Sequence, residues 1–294
     1  MGNNLNLLYL MGAGRSGTTA IATFLGGHPA IHTLGEMHQF YDHLRDSKAC
    51  SCGQQLEFCP FWSKVIADLP QSIIQNSGEI QKLSDKLEYH SSIPKHFSGT
   101  ISKSNLEKYN SFQEELISCI SKHSSAEYFL DSAKYIGRNL SLRKSKRITI
   151  KTIYIVRDVR GVINSFSKNV QSSRKPLSTI FYYYLVNLAA MIGSLFSPKG
   201  SVLKLKYEDF MDNPESSLNR IGYFLDLAMD PVVGKIRNND AFEIGHIIGG
   251  NRLKHDESIR FNPDVNWKIN IPRIQQILYY VLTAPLMLMN SYKI

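Results

Sequence analysis

An apolar run, LNLLYLM (Leu5–Met11), stops abruptly at GAGRSGTT (Gly12–Thr19), and TTAIATFL (Thr18–Leu25) follows before Gly26, Gly27 and Pro29. The run reads as a short buried strand. The segment from Thr18 to Leu25 reads as a helix halted by the two glycines and the proline. Strand, glycine loop and helix are together the setting that cradles a phosphate, because the first N–H groups of a helix have no partner inside it. Gly12 and Gly17 have the spacing of the triphosphate loop G-x-x-x-x-G-K-[ST], but Thr18 stands where the lysine belongs. That lysine carries the main counter-charge for a triphosphate. What remains are the N–H groups from Gly14 to Thr19, the charge of Arg15, and the hydroxyls of Ser16, Thr18 and Thr19. Such a loop suits a single phosphate held without a metal ion. Taken alone it fits a ligand-free strand-to-helix turn equally well.

The rest of the chain supplies more strands of the same kind. AIHTL (Ala30–Leu34), EYFLD (Glu127–Asp131), ITIKTIYIV (Ile148–Val156) and SVLKLKY (Ser201–Tyr207) are apolar or rich in β-branched residues. Helical stretches separate them. One starts at DVRGV, a long one spans about 178–196, and one begins at Asn213 and Pro214, with proline in the first turn. Alternating strands and helices predict an α/β domain with a parallel sheet covered on both faces. No repeat, low-complexity tract or linker divides the chain, so a single domain is expected over residues 1–294. Residues 45–125, rich in Ser, Lys and Gln, form a helical embellishment on it.

Hydrophobic residues make up 43% of the 294 residues and charged residues 20%, which supports a large core and excludes wholesale disorder. The formal charge of +9 favours an anionic partner. Lys and Arg are spread along the chain without an RNA-binding or zinc-finger pattern, so nucleic acid ranks behind a nucleotide-like ligand. IFYYYLVNLAAMIGSLF (Ile180–Phe196) and ILYYVLTAPLMLM (Ile277–Met289) are the most apolar stretches. Asn187 and three tyrosines interrupt the first, and Pro285 breaks the second. Both are expected to be buried helices, not membrane spans, with peripheral membrane contact by the second as the lesser reading. The N-terminus has no basic region ahead of a long apolar core, so a cytoplasmic location is expected.

A second anion anchor appears in YIVRDVRGVINSFSKN. Arg157 ends a strand of the same sheet, and Ser165 lies eight residues further on, about two helical turns. Carboxyl ends of parallel strands open into a ligand crevice. Arg157 there is placed for a bidentate phosphate contact, with Ser165 donating from the next helix. The rival reading of Arg157 is an ion pair with Asp158.

These two segments together resemble the sulfotransferases that use 3′-phosphoadenosine 5′-phosphosulfate (PAPS), in the branch holding bacterial, carbohydrate and tyrosylprotein enzymes. GAGRSGTT resembles their 5′-phosphosulfate loop, and RDVRGVINSF their 3′-phosphate motif. CSCGQQLEFCPFW, LDSAKYIGRNLSL, LKYEDFMDNPESSLNRIGYFLDL and HIIGGNRLKHDESIRFNPDVNW extend the resemblance over nearly the whole chain. It implies a three-layer fold like that of the P-loop NTPases, a PAPS donor yielding 3′,5′-ADP, no metal requirement, and transfer to a hydroxyl of a carbohydrate, lipid or small-metabolite acceptor. By the same resemblance Glu36, in LGEMHQF, is the base and is preferred to His38. Lys134, in DSAK, faces the transferring group with Arg15. Asp131 orients Lys134 or binds the acceptor, and Arg138 touches one of the ligands. Tyr207 contacts the nucleotide, the GGNR turn brings Asn251 and Arg252 over it, and Trp267 packs in the core or over that turn. Acceptor contacts are expected from residues 36–125 and from the FYYY stretch of the 178–196 helix. Two rivals stand beside this reading. One is a small-molecule or nucleotide kinase on the same fold, which Thr18 argues against. The other is a non-catalytic nucleotide-binding protein, which Glu36 and Lys134 argue against.

Cys50, Cys52 and Cys59 lie within ten residues, in C-x-C-x6-C spacing, and Cys119 stands apart. Zinc sites usually pair cysteines two to four residues apart. The cluster is therefore read as structural, with a disulfide between two of its members as one form of it. A zinc site completed by His38 or His43 is the lesser reading.

Overall fold

The computed structural model describes residues 5–167, 174–250, 256–263 and 266–294. Five strands form one sheet: β1 (Leu5–Gly12), β2 (Ile31–Gly35), β3 (Tyr128–Lys134), β4 (Ile148–Val156) and β5 (Val202–Lys206). Their order is β2-β3-β1-β4-β5, and every pairing is parallel. This is the expected α/β architecture. β1 lies at the centre, in register with β4 from Leu5 opposite Ile148 to Gly12 opposite Ile155.

Both faces of the sheet are covered, which is why the central strand β1 is a near-continuous buried apolar run. Side chains still alternate between the faces. Leu5, Leu7, Tyr9 and Met11 of β1 join one core with Ile148, Ile150, Tyr154 and Val156 of β4. Leu8 and Leu10 join the other with Ile153 and Ile155. Helix α1 (Thr18–Leu25) covers the second face through Ile21, Phe24 and Leu25. The region 45–125 folds into short helices and two longer ones, α2 (Ser77–Glu88) and α3 (Lys103–Ser121), the latter capped by the Ser102 hydroxyl. These pack on α4 (Ile136–Leu142) and on β1. α5 (Val159–Ser167) and α6 (Pro176–Leu195) follow β4.

Three expectations are corrected here. Tyr207 does not end a strand; it opens helix α7 (Tyr207–Asp212) directly after β5. Helix α6 is buried on one face only, through Ile180, Tyr183, Val186 and Ala190, while Phe181, Leu185 and Leu188 are exposed on the other. It is long and apolar enough to span a membrane by length and composition, with 44% of that window buried inside the protein. The second apolar segment forms two short helices, α8 (Arg273–Leu282) and α9 (Ala284–Met289), with exposed Ile274, Val281, Leu288 and Met289.

Arg138 is the third correction. Its side chain, carried on α4, is 2% exposed and turned into the core, and it is not among the residues that line the cavity at the carboxyl ends of the strands. It donates from Nε to Asp131 Oδ2 at 2.7 Å, from Nη1 to Glu88 Oε1 and the Tyr109 hydroxyl, and from Nη2 to Gln113 Oε1 at 3.1 Å. One guanidinium thus ties the end of β3 to α2 and α3. Burial raises the Glu88 carboxyl above its ordinary value even so. Removing one partner of such a network leaves buried carboxylates uncompensated, at about 3–5 kcal/mol. Arg138→Ala is therefore expected to lower the urea-unfolding free energy by about that amount. A loss below about 1 kcal/mol would show that the network carries no fold stability.

Candidate active site

Each strand of the sheet delivers one site residue at or just beyond its carboxyl end. β1 runs into the glycine loop, β2 into Glu36, β3 ends on Lys134, β4 leads to Arg157 and β5 to Tyr207. The first three of these carboxyl ends line one cavity of about 560 Å³, with Gly12, Gly14, Arg15, Gly17, Thr18 and Thr19 on one wall and Glu36 and Lys134 on another.

The loop enters α1 through Gly17, whose φ of 85° lies in the left-handed region that glycine alone adopts freely. A Cβ at Gly17 would also collide with the ring of Tyr207. Helix α1 has neither a side-chain cap nor an acidic residue in its first turn. Its first N–H groups are thus left facing the cavity end of the loop, as an anion site requires. Arg15 itself has φ 68°, a conformation that costs a non-glycine residue energy and that clusters at functional sites. Its guanidinium lies 5.7 Å from the Phe166 ring centre. Ser16 is 1% exposed, and its hydroxyl is a buried group with no hydrogen-bond partner among the described residues.

Glu36 and Lys134 meet because β2 and β3 are neighbours. Lys134 Nζ donates to Glu36 Oε1, and Gln39 Nε2 donates to Oε2 at 3.0 Å. Two devices set this pair. The β1–β3 register slips between Tyr9 and Met11, which re-aims the end of β3 and leaves Lys134 at φ 73°. Asp131, fully buried, accepts from Ala133 N at 2.9 Å and from Met37 N at 3.4 Å. It therefore holds the backbone beside both members of the pair. The Asp131 side chain bonds to Arg138, not to Lys134, among the described residues. On the other side Glu36 N donates to Ile248 O at 2.6 Å. Gly35 (φ 84°) has no room for a Cβ beneath that same carbonyl.

Arg157 is 5% exposed. Its Nη1 donates to the Arg15 carbonyl at 3.1 Å, and its guanidinium stacks 4.2 Å from the Tyr207 ring centre. The two expected anion anchors are thus in direct contact, although 142 positions separate them. Asp158 does not pair with Arg157; it binds Arg160, which stacks on buried Trp267 at 4.4 Å. Ser165 is half-buried on α5, beside Phe166 of the cavity wall. Tyr207 packs under the loop instead of lining the cavity, so its place is to brace Gly17 and Arg157. Asn251 and Arg252 lie outside the described residues; Gly249 and Gly250 just before them line the cavity.

The remaining wall was legible only in part. His38, His90, Tyr135, Phe166, Arg174 and Tyr182 complete it. Tyr182 is the one member of FYYY that reaches the cavity, and its hydroxyl accepts from Gly14 N at 2.8 Å. Tyr183 instead donates to the Arg157 carbonyl at 2.9 Å, bracing that anchor from behind. Arg174 stacks over Tyr182 at 4.4 Å. Its position just before α6 gave no sequence signal. His90 rests against Tyr135 and Tyr182, with ring centres 5.1 and 5.8 Å away. Nδ1 of both His38 and His90 is buried without a hydrogen-bond partner among the described residues. Burial, then the Lys134 and Arg138 charges, hold the His38 imidazole well below its ordinary value. Burial and the Arg174 charge bring His90 down to about 4. Both rings are therefore neutral at physiological pH.

The His90 ring should titrate near pH 4 by NMR; a midpoint at or above its ordinary 6.5 would contradict this environment. The unfolded chain takes up that proton near 6.5 and the folded chain not until about 4. Stability contributed by the neutral ring is therefore complete above 6.5 and is lost as the pH falls toward 4, at up to about 1.4 kcal/mol per pH unit.

Comparison with known proteins agrees with this arrangement. The sulfotransferase family model matches residues 81–231, a stretch that includes Lys134, Arg157 and Tyr207. None of the curated protein sequences matches the chain. Among solved structures, the sulfotransferase domain of the Synechococcus PCC 7002 olefin synthase is similar over 100% of this chain and 97% of its own, with 16% identity and a TM-score of 0.56. The sulfotransferase domain of the curacin biosynthetic pathway covers 100% of both chains at 15% identity and a TM-score of 0.54. Sulfotransferase STF9 from Mycobacterium avium aligns with 100% of this chain and 79% of its own, at 12% identity and a TM-score of 0.52. At these identities the likeness is one of fold. The family match takes in just over half of the 294 residues, and the chain belongs to the sulfotransferase family.

Proposed function

We propose that this protein moves the sulfuryl group of PAPS to a hydroxyl of a small-molecule or carbohydrate acceptor, with Glu36 as the base. The observation that carries the reading is the Glu36–Lys134 pair, set at two adjacent strand ends in the cavity that the glycine loop also lines. A loop that presents N–H groups and Arg15, with Thr18 in place of lysine, matches a donor with one phosphate beside the transferred group. Arg157, which contacts the Arg15 carbonyl, takes the donor's separate 3′-phosphate together with Ser165 in this reading.

The chemistry follows from charge movement. Glu36 takes the acceptor's hydroxyl proton as the new O–S bond forms, and the bond from sulfur to the 5′-phosphate oxygen breaks. Negative charge then collects on the departing 3′,5′-ADP. Lys134, released from Glu36 as that carboxyl becomes neutral, can follow the charge together with Arg15 and the loop amides. His38 is the competing base; its neutral ring lines the same cavity. Aromatic walls from Tyr135, Phe166, Tyr182 and His90 suit an acceptor with an apolar or sugar-like face, and Arg174 adds a cation at the rim.

Glu36→Gln keeps the shape and removes the base. It is expected to bind 3′,5′-ADP as the native protein does, without added metal, while transfer from radiolabelled PAPS to an acceptor falls by about 10²–10⁴-fold. Undiminished turnover would remove Glu36 as base and pass the role to His38. Preference for ATP with magnesium over 3′,5′-ADP would overturn the sulfotransferase chemistry in favour of a kinase.

A further inference from the structure

The fold brings the cysteine cluster a fourth donor that its spacing does not announce. Cys50, Cys52, Cys59 and His246 offer three Sγ atoms and one ring nitrogen, all within 4.8 Å of one another. His246 Nδ1 lies 3.3 Å from Cys59 Sγ and 4.0 Å from Cys50 Sγ. A zinc ion with Zn–S near 2.3 Å and Zn–N near 2.0 Å in tetrahedral array sets S···N at about 3.5 Å and S···S at about 3.8 Å. The two His246 distances bracket the S···N value, and no pair of donor atoms is further apart than 4.8 Å. Among the described residues all four cysteines of the chain are unbridged thiols, so the three sulfurs of the cluster are available as ligands.

We propose that these four residues bind one structural zinc ion. Three thiolates and an imidazole are a soft donor set that selects zinc over the hard cations. Four protein donors fill the tetrahedron and leave no open position for water or substrate, which marks the site as structural and not catalytic. The surroundings are organised as such a site needs. Ser51 Oγ donates to Gly245 O at 2.6 Å and accepts from Ile247 N at 2.9 Å. Ser51 N donates to Ile247 O at 3.1 Å, and Trp62 Nε1 donates to His246 O at 2.9 Å. The Cys50–Gly53 turn closes through Gly53 N to Cys50 O at 3.0 Å.

Position gives the ion its consequence. His246 lies two residues before Ile248, whose carbonyl accepts from Glu36 N and whose backbone bridges to Gly35. Gly249 and Gly250 follow on the cavity wall. Zinc would therefore pin the segment that clamps Glu36 to the loop at residues 50–59. The proposal concerns metal content and holds whichever acceptor the enzyme uses.

The full-length protein, expressed with zinc supplied and purified under reducing conditions, is expected to carry about one zinc per chain by elemental analysis. Replacing zinc by cobalt should give the visible absorption of tetrahedral thiolate coordination. Cys59→Ser and His246→Ala should each lose the metal and that spectrum, whereas Cys119→Ser should keep both, since Cys119 Sγ faces Asp68 O elsewhere. Because Cys59→Ser risks misfolding, the deciding result is on native protein. Zinc well below one equivalent after supplementation, a stoichiometric disulfide among the three cysteines in alkylation mass spectrometry, or a cobalt spectrum unchanged in a folded His246→Ala would each overturn the site.

Discussion

Tyr207 packed under Gly17, with Arg157 stacked on its ring, is the contact on which the rest of the site depends. It joins the ends of β1, β4 and β5 into one piece. No side chain fits between the loop and that ring, so Gly17 is fixed by sterics as well as by its backbone angle. Arg157 then reaches back to the Arg15 carbonyl, and Tyr183 holds the Arg157 carbonyl from α6. Two cationic side chains from distant parts of the sequence are thereby held beside one loop. The contact runs from the Arg157 guanidinium to the Arg15 backbone carbonyl, and two cationic residues at one loop favour an anion there.

The other half of the site is built the same way, from strand ends under constraint. Lys134 and Arg15 both hold left-handed backbone angles, which cost of order 1–3 kcal/mol each. The slip in the β1–β3 ladder and the hydrogen bonds of Asp131 keep the first in place. The Arg138 network holds Asp131 in turn. A buried arginine that does not line the cavity therefore acts on the Glu36–Lys134 pair through three links of backbone and side chain. That chain of support explains why Asp131 in β3 and Arg138 in α4 are charged yet buried.

Much of this was legible in the sequence, because strand, glycine loop and helix leave few folds open and Arg157 stands at the end of an unmistakable strand. The sheet, its parallel sense and the loop facing an anchor after β4 all follow from that. What escaped was set by tertiary contact. His246 joins three cysteines from 187 residues or more away. Tyr182 reaches Gly14 across 168 positions, while its neighbours Tyr183 and Tyr184 face elsewhere. Arg138 sits next to Lys134 in the motif, but helical rotation carries it inward to Glu88 and Asp131. Helix α6 is apolar on both faces, and composition alone gives no means of telling its exposed face from its buried one.

The central claim is that the loop and Arg157 form one two-part anion site for a donor phosphorylated at both ends of its ribose. Calorimetric titration with 3′,5′-ADP and with 5′-AMP, free of divalent metal, tests it most directly. The native protein is expected to favour 3′,5′-ADP by roughly tenfold to hundredfold, the worth of a charged hydrogen-bonded contact, and Arg157→Ala to lose most of that preference. Equal affinity of the native protein for the two nucleotides would contradict the account.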